Sequence, residues 1–179
     1  ALKEFIMAQN VIDSPDTVIE IIQSLAWHQN IEVLDMSSNN QGGEGVWKAL
    51  GNLLKCSSKL RKINLNYTRI EGKQISDIVD GLIWNKSLTH VSMIENTEIT
   101  AAGWQTFLKN AINIPQLTKL DVSYNNIDDE GITVLSEWIK RTQPKILDIS
   151  ANEEVSATGW WMFAMDLPSC CVNINLSDN

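Results

Sequence analysis

Apolar positions recur along this chain in one fixed string, Leu-x-x-Leu-x-Leu-x-x-Asn. The clearest copy is Leu117, Leu120, Val122 and Asn125, with Ile127 two residues on. It aligns with Leu2, Phe5, Met7 and Asn10, with Ile31, Leu34, Met36 and Asn39, and with Leu60, Ile63, Leu65 and Thr68. Later copies are Leu88, Val91, Met93, Asn96; Pro144, Leu147, Ile149, Asn152; and Cys171, Ile174, Leu176, Asn179. Alternation within the string predicts a short strand with one face buried. The starts at 2, 31, 60, 88, 117, 144 and 171 give a period of about 28 residues, the signature of a stacked repeat.

Between strings the period changes to that of a helix. Val18, Ile21, Ile22 and Leu25 form one stripe, Val46, Ala49, Leu50 and Leu53 the next, and Ile75, Ile78, Val79 and Leu82 a third. Trp104, Phe107, Leu108 and Ala111 follow, then Ile132, Leu135 and Ile139, then Trp160, Phe163, Ala164 and Leu167. Spacing i, i+3, i+4, i+7 places each set on one helical face. Gly45, Gly103, Gly131 and Gly159 precede the stripes, where a turn with positive φ is expected. Neither a short strand nor a one-faced helix buries its apolar side alone, so units must stack, strands on the inside and bulkier helices outside. The Asn after each strand is read as a structural residue that bonds unpaired backbone groups in the turn.

Units of this length and composition resemble the ribonuclease-inhibitor-like class of leucine-rich repeats. Residues 117–140, LTKLDVSYNNIDDEGITVLSEWIK, look like a near-ideal member, and 81–93, GLIWNKSLTHVSM, match the class's helix-to-strand link. The resemblance implies an α/β solenoid, a right-handed β-α superhelix bent into a horseshoe, with a parallel sheet on the concave face and helices on the convex one. It covers residues 1–179 as one domain of about six full repeats plus a partial one. The class contains ribonuclease inhibitor, nucleotide-binding innate immune receptors, the GTPase-activating protein for Ran, and the actin regulators tropomodulin and CARMIL. It implies a cytoplasmic, non-enzymatic protein-binding scaffold. Alternatives within the class are a GTPase-activating or actin-regulatory domain, or the ligand-sensing arm of an innate immune receptor. The chain opens directly on a repeat and stops one strand into another, which suggests a piece of a longer protein. The open edge at 171–178 could then pair with another chain.

Irregularities fall in the loops. Residues 41–45, QGGEG, take the place of the usual apolar residue and predict a looser turn, while Asn96 and Asn152 are followed by one extra residue before Ile99 and Val155. Seven tryptophans divide by position. Trp104 and Trp160 lie in the core stripe, Trp27 and Trp84 near helix ends where they would plug the seam, and Trp138 beside its stripe. Trp47 and Trp161 share a position one step off the stripe, where packing between neighbouring helices is expected.

A net charge of −8 with only Arg61, Arg69 and Arg141 as arginines argues against nucleic acid or an anionic membrane surface as partner. No apolar run approaches the ~20 residues of a membrane span. Cys56, Cys170 and Cys171 show no framework spacing, which favours a reducing compartment. Glycosylation sequons at Asn66, Asn85 and Asn175 are of a kind that chance produces in an Asn-rich chain.

Non-consensus strand positions should form columns on the exposed sheet face. One runs Ile6, Asp35, Asn64, Ser92, Asp121, Asp148, Asn175, and a flanking one Glu4, Val33, Lys62, His90, Lys119, Ile146, Asn173. The candidate partner-binding residues are Lys62, Asn64, Asn66, Tyr67, His90, Ile94, Glu95, Lys119 and Tyr124, a mixture of aromatic, charged and apolar groups with Tyr at its centre. The Asp35/Ser37, Asp121/Ser123 and Asp148/Ser150 pairs are expected to bond locally. His90, Ser92 and Asp121 share a face but have no nucleophile elbow or oxyanion hole beside them, so no catalytic residue is assigned. No phosphate loop, metal-ligand spacing or cofactor motif is present in the sequence.

Overall fold

The structure, a computed structural model, describes residues 2–10, 12, 14–39, 43, 45–114, 116–168 and 173–179. Seven strands of three residues each form one sheet in chain order: β1 (Glu4–Ile6), β2 (Val33–Asp35), β3 (Lys62–Asn64), β4 (His90–Ser92), β5 (Lys119–Asp121), β6 (Ile146–Asp148) and β7 (Asn173–Asn175). All neighbours are parallel and in register, so equivalent residues of successive repeats lie side by side. Six helices alternate with them: α1 (Pro15–Leu25), α2 (Val46–Cys56), α3 (Ile75–Trp84), α4 (Ala101–Ala111), α5 (Asp129–Thr142) and α6 (Ala157–Asp166).

The middle residue of each internal strand, Leu34, Ile63, Val91, Leu120 or Leu147, is buried under the helices, while its two neighbours face the other way. Helix starts are written locally. Ser14, Thr100, Asp128 and Ser156 each accept a hydrogen bond from the backbone N–H three residues on, a good N-cap arrangement. A short 3-10 turn at Gly72–Gln74, closed by a capping box between Glu71 and Gln74, leads into α3.

The predicted asparagine role is confirmed in detail. Asn39, Asn96, Asn125 and Asn152 are buried. Asn125 Nδ2 donates to the carbonyls of Val122 and Ser123 in its own repeat and of Met93 in the preceding one. Its Oδ1 accepts from Asn96 N–H. Asn39 and Asn152 make the same three donations, and Asn152 Oδ1 accepts from Ile127 N–H. Where Thr68 replaces the amide, its hydroxyl bonds only Leu65 O and Asn96 Oδ1.

The glycines work differently from expectation. Gly45 has φ 100° and caps α2, as a positive-φ turn requires. Gly103, Gly131 and Gly159 instead sit inside the first turn of their helices. There a Cβ would lie within 3 Å of Ile99, Ile127 and Asp129 side chains respectively, so close packing and not backbone freedom selects them. The closest approach to backbone joins α2 to α3, where a Cβ on Gly81 would stand 2.5 Å from Gly51 O and one on Gly51 2.2 Å from Asp77 O.

Tryptophan placement departs from the sequence expectation in two respects. Trp47, Trp104 and Trp138 are fully buried, and Trp104 meets Phe107 edge-on with centroids 5.8 Å apart. Trp27 and Trp84, however, are 87% and 67% exposed. The seam after α3 is filled by Asn85, whose Nδ2 donates to Leu54 O and Ser57 O and whose Oδ1 accepts from Ser87 and Leu88 N–H. An indole, with one donor and no acceptor, could not satisfy those groups. The burial of Asn85 also closes its sequon in the folded chain. Trp47 and Trp161 part company: Trp47 is covered by the following repeat, whereas Trp161 is 65% exposed and Ala164 of the α6 stripe is exposed with it. The looser turn expected at 41–45 falls mainly on residues outside those described, as do Cys170 and Cys171. Cys56 is an exposed free thiol.

Replacing Asn125 by Ala strands four buried backbone groups and should cost about 3 kcal/mol in urea unfolding. Asn126→Ala, which removes one exposed bond to Thr97 O, should cost well under ~1 kcal/mol. Gly81→Val should lower stability by about 3 kcal/mol through overpacking against Gly51, read from thermal melts.

Candidate functional site

The exposed sheet face carries three side-chain rows, one residue per strand. The first is Glu4, Val33, Lys62, His90, Lys119, Ile146, Asn173 and the second Ile6, Asp35, Asn64, Ser92, Asp121, Asp148, Asn175, as strand register requires. The third, beyond the strand ends, includes Ser37, Asn66, Ile94, Ser123 and Ser150.

Much of the second row is internally bonded. Asp35, Asp121 and Asp148 each accept through Oδ1 from the N–H and hydroxyl of the Ser two residues on. Asn64 and Asn175 donate across the sheet to Asp35 Oδ2 and Asp148 Oδ2. The local bonding expected of the Asp-x-Ser pairs therefore runs along each strand, with Asn providing the cross-strand link. Asn66 Oδ1 accepts from Ser92 Oγ and Ile94 N–H.

Immediately before each ladder Asn, and before Thr68 in the third repeat, the backbone is left-handed: Gln9, Ser38, Tyr67, Glu95, Tyr124, Ala151 and Asp178, with φ between 51° and 57°. No glycine occupies the position, although an L side chain there costs about 1–2 kcal/mol. This turn throws the side chain off the strand edge while the next residue points inward. Tyr67 and Tyr124 are consequently 47% and 51% exposed.

Two concavities gather the predicted residues. A shallow one of 250 Å³ on the sheet face is lined by Lys62, Asn64, His90 and Lys119, with Asp35, Ser92 and Asp121 beside them. A second, of 520 Å³, lies along the loop edge and brings Glu95 and Tyr124 together with Asn126, Glu153, Glu154 and Asp178. Asn66, Tyr67 and Ile94 line neither. The loop-edge residues Thr97, Asn126, Ala151, Glu153, Glu154 and Asp178 were absent from the sequence-derived set. Their signal was the extra residue after Asn96 and after Asn152.

Electrostatics separate the two rows. Burial, then the charges of Lys62, Lys119 and Lys145, hold His90 below its ordinary pKa. Burial raises Asp121 above the usual carboxylate value against the opposing pull of its Ser123 hydrogen bonds. His90, Ser92 and Asp121 do not bond one another: His90 Nδ1 lies 2.7 Å from Thr89 Oγ1, Ser92 bonds Asn66 and Asp121 bonds Ser123. Among the described residues no three His, Cys, Asp or Glu side chains gather as a metal site, and no helix is long and apolar enough to cross a membrane.

Because the folded state raises the Asp121 pKa, it binds more protons than the unfolded chain above pH 3.8, and stability falls as pH rises through that window. Asp121→Asn keeps both acceptor roles toward Ser123, as Asn175 does toward Ser177. It should raise the melting temperature modestly at pH 7, with the gain shrinking toward pH 3.8 in a pH series of melts.

A family model described as Leucine Rich repeat matches residues 115–136, the segment that runs through β5 into α5. No curated protein sequence matches the chain. Among solved structures it is similar to leiomodin-1 actin-binding site 2, with a TM-score of 0.68 and 15% identity over 79% of this chain and 80% of that one. It is also similar to the tropomodulin C-terminal domain of Caenorhabditis elegans, with a TM-score of 0.65 and 14% identity over 79% and 84% of the two chains. At such identities the likeness is one of fold. What the family model finds in a single repeat, strand register and the asparagine ladder extend along the sheet, and the chain is a leucine-rich repeat solenoid.

Proposed function

We propose that this solenoid is a non-enzymatic protein-binding module that holds a protein partner on its sheet face and the adjoining loop edge. The observation that carries the reading is the pair of exposed tyrosines, Tyr67 and Tyr124, set at left-handed turns along the border between face and edge. A large, amphipathic ring with few rotatable bonds gives contact area at small entropic cost, which is why Tyr concentrates binding energy. Around the pair lie polar groups fixed by hydrogen bonds and not free to rearrange, so little ordering is needed on association.

Actin is the first partner to test, because one similar fold is an actin-binding site of leiomodin-1. A GTPase-activating role draws no comparable support. Arg141 is paired with Glu137 on α5, away from the sheet face, and no arginine lines either concavity.

The test is capture from a lysate of the source cell, and of purified monomeric actin, by wild type and by the Tyr67→Ala/Tyr124→Ala double variant. Wild type should retain a partner that the variant binds at least ~tenfold more weakly, with unchanged circular dichroism. Equal retention by both proteins would sink the tyrosine-bordered site.

A further inference from the structure

We infer that the row Lys62–His90–Lys119 is a seat for an acidic segment of the partner, laid across the strands with apolar side chains at its two ends. This rests on the protein-binding reading and specifies the chemistry of what is bound.

Three in-register neighbours on β3, β4 and β5 carry two ammonium groups and an imidazole. Strand spacing puts successive members about 4.8 Å apart and the two lysines about 10 Å apart. Like charges on adjacent strands disfavour the sheet, and nothing in the fold requires them there. In this chain of net charge −8, six of the fourteen Lys and Arg side chains, Lys3, Lys55, Lys73, Lys109, Lys140 and Arg141, meet carboxylates. Lys62 and Lys119 join no ion pair among the described residues. The nearby carboxylates are engaged elsewhere, with both oxygens of Asp35 held by Ser37 and Asn64 and one oxygen of Asp121 by Ser123. The two ammonium groups thus have no direct ion-pair partner among the described residues, and the hydrogen-bonded carboxylates of Asp35 and Asp121 lie in the same concavity.

His90 is oriented for the same task. Nδ1 lies 2.7 Å from Thr89 Oγ1, a hydroxyl able to donate or accept, which holds the ring in place. Nε2 is left as the second ring nitrogen, a donor to a carboxylate once the ring is protonated. The row continues into Val33 on one side and the exposed Ile146 on the other. A matching segment therefore has acidic residues in the middle and apolar residues at both ends.

A pH dependence follows. Lys62 from β3, Lys119 from β5 and Lys145 from the turn before β6 oppose protonation of His90, while Asp35 and Asp121 line the same concavity. A bound carboxylate offsets the lysine charges and raises the His90 pKa. Affinity should therefore rise as pH falls from 8 toward 6, while the segment's own carboxylates stay ionised.

The probe is a fluorescein-labelled peptide, Leu-Glu-Glu-Glu-Leu, compared with its glutamine counterpart by anisotropy in low salt at pH 6 and pH 8. The glutamate peptide should bind more tightly than the glutamine one at pH 6. Lys62→Gln/Lys119→Gln should weaken it about tenfold, and His90→Gln should remove the difference between the two pH values. Equal binding of the two peptides, or no loss in the lysine variant, overturns the proposal. So does tighter binding of inorganic phosphate or of a DNA duplex. If the captured partner is lost by the tyrosine variant but kept by the lysine variant, the row fails while the binding module stands. If glutamate-selective binding is present and nothing is captured, the row stands and the module reading fails.

Discussion

Strands of three residues leave most of their turn backbone without a partner, and the buried asparagine that follows β2, β4, β5 and β6 supplies one. Each amide serves two repeats at once, donating to carbonyls of its own turn and of the preceding unit while accepting an N–H from that same unit. The ladder is therefore both local and a contact between repeats. It fixes the step from strand to strand, which fixes the register of the sheet and hence the rows that face solvent. The left-handed residue before each Asn is the other half of this device. It carries a backbone cost of order 1 kcal/mol or more, yet it is present in every repeat, including the one in which Thr68 replaces the amide.

Helix packing obeys a second constraint, the fixed width of a repeat. Successive helices must sit over successive strands although they are broader, and the chain meets this by removing side chains at the closest approaches. Gly51 and Gly81 let α2 and α3 touch backbone to backbone, and Gly103, Gly131 and Gly159 let each helix start seat against its own loop and the neighbouring unit. The space so set is filled by large rings where there is room: Trp47, Trp104 and Trp138 in the interior. Ion pairs such as Lys55–Asp80 and Lys109–Glu130 bridge adjacent helices at the surface, where they contribute little to stability but help to fix partners.

The exposed sheet face takes its shape from these two constraints. Side chains on it do not converge on a pocket able to exclude water. They lie in rows, partly cross-bonded, with Lys62 and Lys119 and the turn tyrosines among the members that make no side-chain hydrogen bond to the described residues. A surface of this kind suits recognition of an extended or helical protein segment, because complementarity is set by row spacing and charge order and not by enclosure.

The repeat string alone determined the strands, their parallel order, the inward helical stripes and the membership of each row, because a recurrent period of about 28 residues requires stacking to bury the apolar positions. It also identified the asparagines as structural, since one amide at a turn in nearly every repeat has an obvious use. Several matters were decided only by tertiary structure. Trp47 and Trp161 occupy the same position in their repeats, yet one is buried and the other exposed, because burial depends on what the next unit places over it. Trp84 was the residue expected to plug the seam, and only the carbonyls of Leu54 and Ser57 showed that the seam needed the hydrogen-bonding groups of Asn85. The left-handed turn has no glycine to announce it, so its column of exposed side chains was invisible to pattern. The same holds for the charge balance of the sheet face: sequence lists its acids and bases, but only the fold shows which carboxylates are already bonded and which cations are not.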